Sequence, residues 1–215
     1  GAGAGPADPR RARGPYARSK AAAEQVALGA DGGGLSVVAI RPHLVWGPAD
    51  TQLIGRVVER ARTGRLPLIG SGAALIDSTY ISNAVDALLA ALDRCNSVRG
   101  QALVVTNGEP RPVADLLGAI CDAAGVPAPA RQVPTTLALV AGGVAQTVWS
   151  LRGRAGGRPD GDPPITRFVA EQLSTAHWFD QRHTRAVLGW APRVSLDQGL
   201  AELRRAYVVE KEREG

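Results

Sequence analysis

At 215 residues, 45% apolar and 21% charged, the chain has the make-up of an ordinary globular protein, enough for one good-sized core or a domain and a half, which excludes global disorder. A net charge of +5 would suit nucleic acid or an anionic membrane. However, the basic residues are nearly all Arg, in a chain rich in Ala, Gly, Val and Pro and without Met, as the codon bias of a GC-rich genome produces, and they are scattered. The two local clusters, Arg10, Arg11, Arg13 and Arg152, Arg154, Arg158, have no interleaved aromatics, so no nucleic-acid partner is expected. Cys95 and Cys121 have neither C-x-x-C spacing nor the density of a secreted scaffold, and Gly1 to Arg13 lacks the apolar stretch of a signal peptide; a reduced, cytoplasmic setting is the expectation.

Residues 1–14 read as a flexible lead-in, and Pro15 starts a helix that runs to about Ala30 and stops at Gly32-Gly33-Gly34. Near its start stand Tyr16 and Lys20. Four residues apart on a helix, a phenol and an ammonium point the same way and can share a pocket. A free tyrosine titrates near pH ~10, and a fixed positive charge beside it favours the phenolate. Such a pair can move a proton to or from a substrate hydroxyl, although an exposed helical Tyr/Lys contact without function has the same spacing.

Leu35 to Ile40 is a continuous apolar run of the kind found in buried parallel strands. It leads into Arg41-Pro42-His43-Leu44-Val45-Trp46-Gly47-Pro48, where two prolines and a glycine impose a shaped loop at the strand's carboxyl end. Ligands of open α/β sheets bind at that edge. A helix follows from about Gln52 to Thr63, then a turn at Leu68 to Gly72, a helix Asn83 to Asp93, a strand Leu103 to Thr106 and a helix Val113 to Ala124.

Beyond residue 125 the texture becomes helical. Gln132 to Leu151 is uncharged, but its prolines, threonines and glycines make a poor membrane span. Leu137, Val140, Val144, Val148 and Leu151 recur at helical spacing, which predicts an amphipathic helix docked on a core; peripheral membrane contact stays open. A Gly/Arg/Pro loop, 153–164, precedes a helix expected over 166–173. Ser195-Leu-Asp-Gln198 is a capping box that opens the final helix. Strands alternating with helices, then mostly helices, predict an α/β fold with a smaller, mainly helical lobe: residues 15–125 and 126–215 after the lead-in 1–14.

In order along the chain stand Tyr16-Ala-Arg-Ser-Lys20 with Glu24, Arg41-Pro42 with Trp46-Gly47-Pro48, Thr79-Tyr80-Ile81 with Asn83, Leu188-Gly-Trp-Ala-Pro192, Ser195-Leu196 and Gly199-Leu200. Together they resemble the carboxyl-terminal portion of an extended short-chain dehydrogenase/reductase of the NAD-dependent epimerase/dehydratase type. Ile76 to Asn83 and Pro163 to Phe168 look most like the 3β-hydroxysteroid dehydrogenase branch, since the sugar-nucleotide epimerases usually carry an aspartate where Asn83 stands.

The resemblance implies the carboxyl-terminal part of a Rossmann-like parallel sheet domain with a helical substrate lobe, acting with NAD or NADP on a secondary alcohol or ketone. Tyr16 is then the acid/base and Lys20 its tuning residue and a ribose contact. Pro42 and His43 border the nicotinamide, with a structural turn as the rival role for His43, and Leu44 and Trp46 face the substrate, with packing as the rival for Trp46. Asp77, Tyr80 and Asn83 are expected to stabilise rather than react, and Trp178, Phe179 and Trp190 to fill core. No metal ligands are expected. The family's Gly-x-x-Gly-x-x-Gly turn has no counterpart here, because Gly1-Ala-Gly-Ala-Gly5 follows no strand and precedes Pro6, and no Ser or Thr precedes Tyr16. The expectation is therefore a fragment whose phosphate-binding half and catalytic Ser/Thr lie elsewhere, the parent possibly a homodimer. A nucleotide-sugar epimerase or dehydratase, and a noncatalytic fragment or binding module, are the alternatives.

Overall fold

The computed structural model describes residues 5–12, 14–154, 171 and 173–214. In chain order the elements are α1 (Gly14–Gly29), β1 (Ala39–Pro42), β2 (Val45–Trp46), α2 (Ile54–Arg62), β3 (Pro67–Ile69), β4 (Leu75–Ile76), β5 (Thr79–Tyr80), α3 (Ile81–Asp93), α4 (Cys95–Val98), β6 (Ala102–Val105), β7 (Arg111–Pro112), α5 (Val113–Ala123), β8 (Arg131–Val133), α6 (Thr135–Arg154), α7 (Arg182–Leu188) and α8 (Leu196–Glu214). Most of the helix expected over 166–173 and most of the arginine-bearing loop lie outside the described residues.

The chain divides into two units, one made of the stretch ending at Leu53 with Asp77–Pro110 and the stretch from Trp178, the other of Ile54–Ile76 and Arg111–His177. In the first, β1 runs parallel to β6 in the register Ala39 to Ala102 through Pro42 to Val105. β2 runs parallel to β5, setting Val45 against Thr79 and Trp46 against Tyr80. α3 and α4 follow β5 in the chain and lead to β6. Ala87 and Ala91 of α3 meet Val98, Leu103, Val105, Leu188 and Trp190 in one core cluster. Each large side chain buried there contributes roughly 1.5–3 kcal/mol.

The second unit joins β3 to β8 in parallel and β4 to β7 in antiparallel fashion. Two of its helices are amphipathic: Ile54, Val57, Val58 and Ala61 bury one side of α2, and Val113, Leu116, Leu117, Ile120 and Cys121 bury one side of α5.

Three expectations need correction. The first strand begins at Ala39, not Leu35. Asp31 Oδ1 accepts the Val37 amide (2.8 Å), Arg99 Nη2 donates to the Leu35 carbonyl (3.2 Å), and Gly32 and Leu35 close a turn on each other. The ladder starts only where β6 offers a partner, and Leu35 is left exposed. The second correction concerns α6, whose Leu137, Val140 and Val144 are turned outward while Ala138 packs against Ile69 and Gly142 is buried. Small residues let that side approach the sheet closely, so size outweighed hydrophobicity in choosing the buried face. Third, Trp178 is 42% exposed, whereas Trp190 is core. Among the described residues no helix is long and apolar enough to cross a membrane.

Candidate active site

α1 forms because an alanine-rich run follows Pro15 in the first turn, and it ends at Gly29. Ala17, Ala21, Glu24 and Leu28 are half-buried along one side; Tyr16, 76% exposed, and Lys20, also exposed, share the neighbouring side. The helix buries no residue fully. Ser19, between the pair, donates its hydroxyl proton to the Tyr16 carbonyl (2.8 Å), a local helical bond. Lys20 forms no ion pair among the described residues. One turn past Lys20, Glu24 accepts two bonds from Arg41 of β1, Nε to Oε2 at 2.6 Å and Nη2 to Oε1 at 2.5 Å.

The loop after β1 is held in place residue by residue. The His43 amide donates to the Val105 carbonyl (3.0 Å), so the ladder with β6 continues one step beyond the strand. Thr79, fully buried, donates its hydroxyl proton to the His43 carbonyl (2.7 Å), with the Val105 carbonyl 3.1 Å away, and its amide donates to the Leu44 carbonyl (3.1 Å). Leu44 is thereby kept at φ +44°, a left-handed conformation that a leucine adopts at some expense. Ala49 sits at φ +64°. Such backbone persists only where its surroundings over-determine it, and it clusters where chains meet ligands. Pro42 is exposed at the carboxyl end of β1, and the His43 ring meets the Phe179 ring edge-on at 5.2 Å.

Trp46 is the loop's anchor. It is 1% exposed, its indole N–H donates to Ser78 Oγ (3.0 Å), and its ring meets that of Tyr80 at 5.3 Å and 73°. The Tyr80 hydroxyl donates to Glu202, and burial together with that carboxylate pushes its pKa up to about 12, so it stays a neutral donor. A Cβ on Gly47 would lie 2.5 Å from Ile81 Cγ2, and one on Gly199 would lie 2.6 Å from Tyr80 Cδ2. These two motif glycines are therefore required by the closeness of α3 and α8 to the Trp46/Tyr80 pair.

Beneath the loop lies a buried polar network. Asn83 Nδ2 donates to Asn107 Oδ1 (2.9 Å) and the Val194 carbonyl (2.7 Å), while Asn83 Oδ1 accepts the Arg193 and Val194 amides (2.9 and 3.1 Å). Asn107 Oδ1 also takes the Tyr80 amide (3.0 Å). Glu109 accepts the Leu196 amide (3.3 Å) at the start of α8. The capping box forms there too, Gln198 N–H to Ser195 Oγ (3.2 Å) and Ser195 N–H to Gln198 Oε1 (2.8 Å). Asp77 is wholly buried and accepts the Phe179 amide (3.0 Å); burial raises its carboxyl pKa.

The structure thus gathers Pro42, His43, Leu44 and Trp46 at one strand end and sets Tyr16 and Lys20 on one side of α1. Sequence reading assigned no role to Thr79, Asn107, Glu109, or the Glu24–Arg41 pair, although Thr79 and Glu24 stood inside its landmarks.

Residues 3–106 match the NAD dependent epimerase/dehydratase family, and over 193 residues the chain is 40% identical to the 2-alkyl-3-oxoalkanoate reductase of Stenotrophomonas maltophilia, covering 88% of this chain and 57% of that one. These two matches support the extended short-chain dehydrogenase/reductase superfamily. The chain is also 29% identical over 194 residues to 3beta-hydroxysteroid-dehydrogenase/decarboxylase isoform 1 of Arabidopsis thaliana, covering 86% of this chain and 44% of that one. The solved dTDP-glucose 4,6-dehydratase DesIV of Streptomyces venezuelae superposes with a TM-score of 0.61 at 21% identity, covering 92% of this chain and 52% of that one, a likeness of Rossmann-like fold. The chain spans about half the length of the curated relatives it matches.

Proposed function

We propose that the protein is an NAD(P)-dependent oxidoreductase that interconverts a ketone and a secondary alcohol, with an apolar 3-oxo acid of the 2-alkyl-3-oxoalkanoate kind as the leading substrate. The observation that carries this reading is the 40% identity to a reductase of that name, and the exposed Tyr16/Lys20 side of α1 agrees with it. The activity is proposed for a protein of its relatives' length. A 3β-hydroxysteroid substrate ranks second, on the 29% identity to the plant sterol enzyme.

In the reducing direction the Tyr16 hydroxyl gives its proton to the substrate carbonyl oxygen. Lys20 stabilises the phenolate left behind and hydrogen-bonds the ribose of the cofactor. The residues present fit the nicotinamide end of that cofactor: an ammonium without an ion pair among the described residues, and the exposed Pro42 ring beside His43 at the carboxyl edge of a parallel sheet. A nicotinamide held by Lys20, Pro42 and His43 would supply the hydride for the carbonyl carbon, which with the Tyr16 proton makes the secondary alcohol and leaves the cofactor oxidised. Leu44 faces the substrate, while Trp46, buried, serves by fixing the loop. The Gly-x-x-Gly-x-x-Gly turn that would take the pyrophosphate has no match in the sequence of residues 1–215.

The test is Tyr16→Phe in the full-length protein. NAD(P)H oxidation driven by a 2-alkyl-3-oxoalkanoate should fall at least about 100-fold, the usual weight of a positioned acid/base, with cofactor binding nearly unchanged in a fluorescence titration. Unchanged turnover would remove Tyr16 from the mechanism. A wild-type protein that ignores oxo acids and steroids but binds a nucleotide sugar would overturn the substrate assignment.

A further inference from the structure

α1 carries the proposed acid/base yet has little that holds it. None of its sixteen residues is fully buried, and Tyr16 and Val26 are each 76% exposed. The side it turns inward is Ala17, Ala21, Glu24 and Leu28. Two of these are methyl groups and one is a carboxylate, whose presence there is unfavourable unless it is matched. It is matched by Arg41, whose guanidinium meets both Glu24 oxygens in a fork, with side-chain exposures of 24% for Arg41 and 14% for Glu24. Arg41 also donates Nη1 to the Gly5 carbonyl (2.9 Å), so three stretches of chain meet at one guanidinium.

The position of this pair matters more than its strength. Glu24 follows Lys20 by one helical turn, about 6 Å along the axis, and Tyr16 by about 12 Å. Arg41 immediately precedes Pro42 and His43. The ion pair therefore links the helix bearing the proton donor to the strand end bearing the cofactor-side loop.

We propose that Glu24 and Arg41 are positioning residues: their forked pair fixes how α1 sits on β1, and through it where Tyr16 and Lys20 stand relative to the Pro42–Trp46 loop. This rests on the oxidoreductase reading for its catalytic consequence only. A monodentate partner would let the helix shift, and misplacement by about 1 Å can cost on the order of 100-fold in rate.

The experiment compares Arg41→Lys, Glu24→Gln and the charge exchange Glu24→Arg/Arg41→Glu in the full-length protein. Hydrogen exchange of the α1 amides should quicken in both single variants while that of β6 stays as in wild type. With an oxo-acid substrate, kcat should fall about 10- to 100-fold in the single variants at saturating substrate and cofactor, with KM for the cofactor within about threefold, and the charge exchange should recover a good part of it. Unchanged exchange in α1 overturns the proposal, as does a single variant with wild-type kcat, or a kcat loss that merely follows the melting temperature with no recovery in the exchanged pair. A wild-type protein without reductase activity would refute the function and leave the hydrogen-exchange comparison to decide the clamp.

Discussion

Replacing Asn83 by Ala should destabilise the protein by about 2–4 kcal/mol, and the figure follows from what is left behind. Asn83 is fully buried and makes four hydrogen bonds. Two of its partners keep others: the Val194 carbonyl still accepts from Asn107 Nδ2 (2.9 Å), and Asn107 Oδ1 still takes the Tyr80 amide. The Arg193 and Val194 amides lose the acceptor Asn83 gave them. Orphaning a buried amide costs about 1–3 kcal/mol each. Arg193 is exposed and Val194 half-buried, so water relieves part of this and the lower half of the range applies. Against a typical total of about 5–15 kcal/mol, the urea midpoint, followed by tryptophan fluorescence, should drop clearly without a change in slope. Asn83→Asp is the sharper variant. It keeps an acceptor for the two amides but sets an oxygen against Asn107 Oδ1 and the Val194 carbonyl, so it should destabilise at pH 7 and recover at acid pH, where a protonated carboxyl can donate. A loss below about 1 kcal/mol for Asn83→Ala, within the range of an ordinary surface substitution, would refute the account of the network.

Gly47→Ala places a Cβ 2.5 Å from Ile81 Cγ2 and should lower stability by about 1–3 kcal/mol; thermal unfolding of Gly47→Ala/Ile81→Ala should show most of the loss restored. Asp77 has a native pKa raised by burial above its ordinary value of 3.8, so the folded state holds its proton more tightly than the unfolded one. Its contribution is fully present below pH 3.8 and is lost as pH rises through the raised native value. Denaturation of Asp77→Asn, which keeps an acceptor for the Phe179 amide, should therefore show stability relative to wild type increasing from about pH 3 toward neutrality; a gap independent of pH would count against it.

Local signals were legible where a residue's role is set by its neighbours in sequence. The capping box at Ser195 and Gln198, the proline-led start of α1 and the apolar periodicity of α5 all formed as read. What sequence concealed depends on partners far along the chain. Leu35 has the apolar character of a strand residue, yet pairing begins at Ala39 because β6 sets the length of the ladder. Leu137, Val140 and Val144 have helical spacing, but period alone does not say which face lands on the sheet, and the close-packing side of Ala138 and Gly142 won. Nothing local to Glu109 reveals that the Leu196 amide, 87 residues away, needs an acceptor. Of the candidate site, the residue types were readable and the supports were not.

Those supports differ between the two parts of the site, and the difference has a mechanical meaning. The Pro42–Trp46 loop is fixed from several directions at once: by the His43 amide on β6, by both polar groups of Thr79, by the buried Trp46 indole on Ser78, and by a glycine that α3 approaches too closely for any side chain. That redundancy is what allows Leu44 to be kept at a positive φ. α1 has no comparable redundancy, since small half-buried side chains and one ion pair join it to β1. A single polar substitution should accordingly leave the loop in place and move the helix, which puts the weak point of the site at the element carrying Tyr16 and Lys20. Stability and activity then separate: changes around Trp46 and Asn83 should act on folding first, and changes at Glu24 and Arg41 on turnover first.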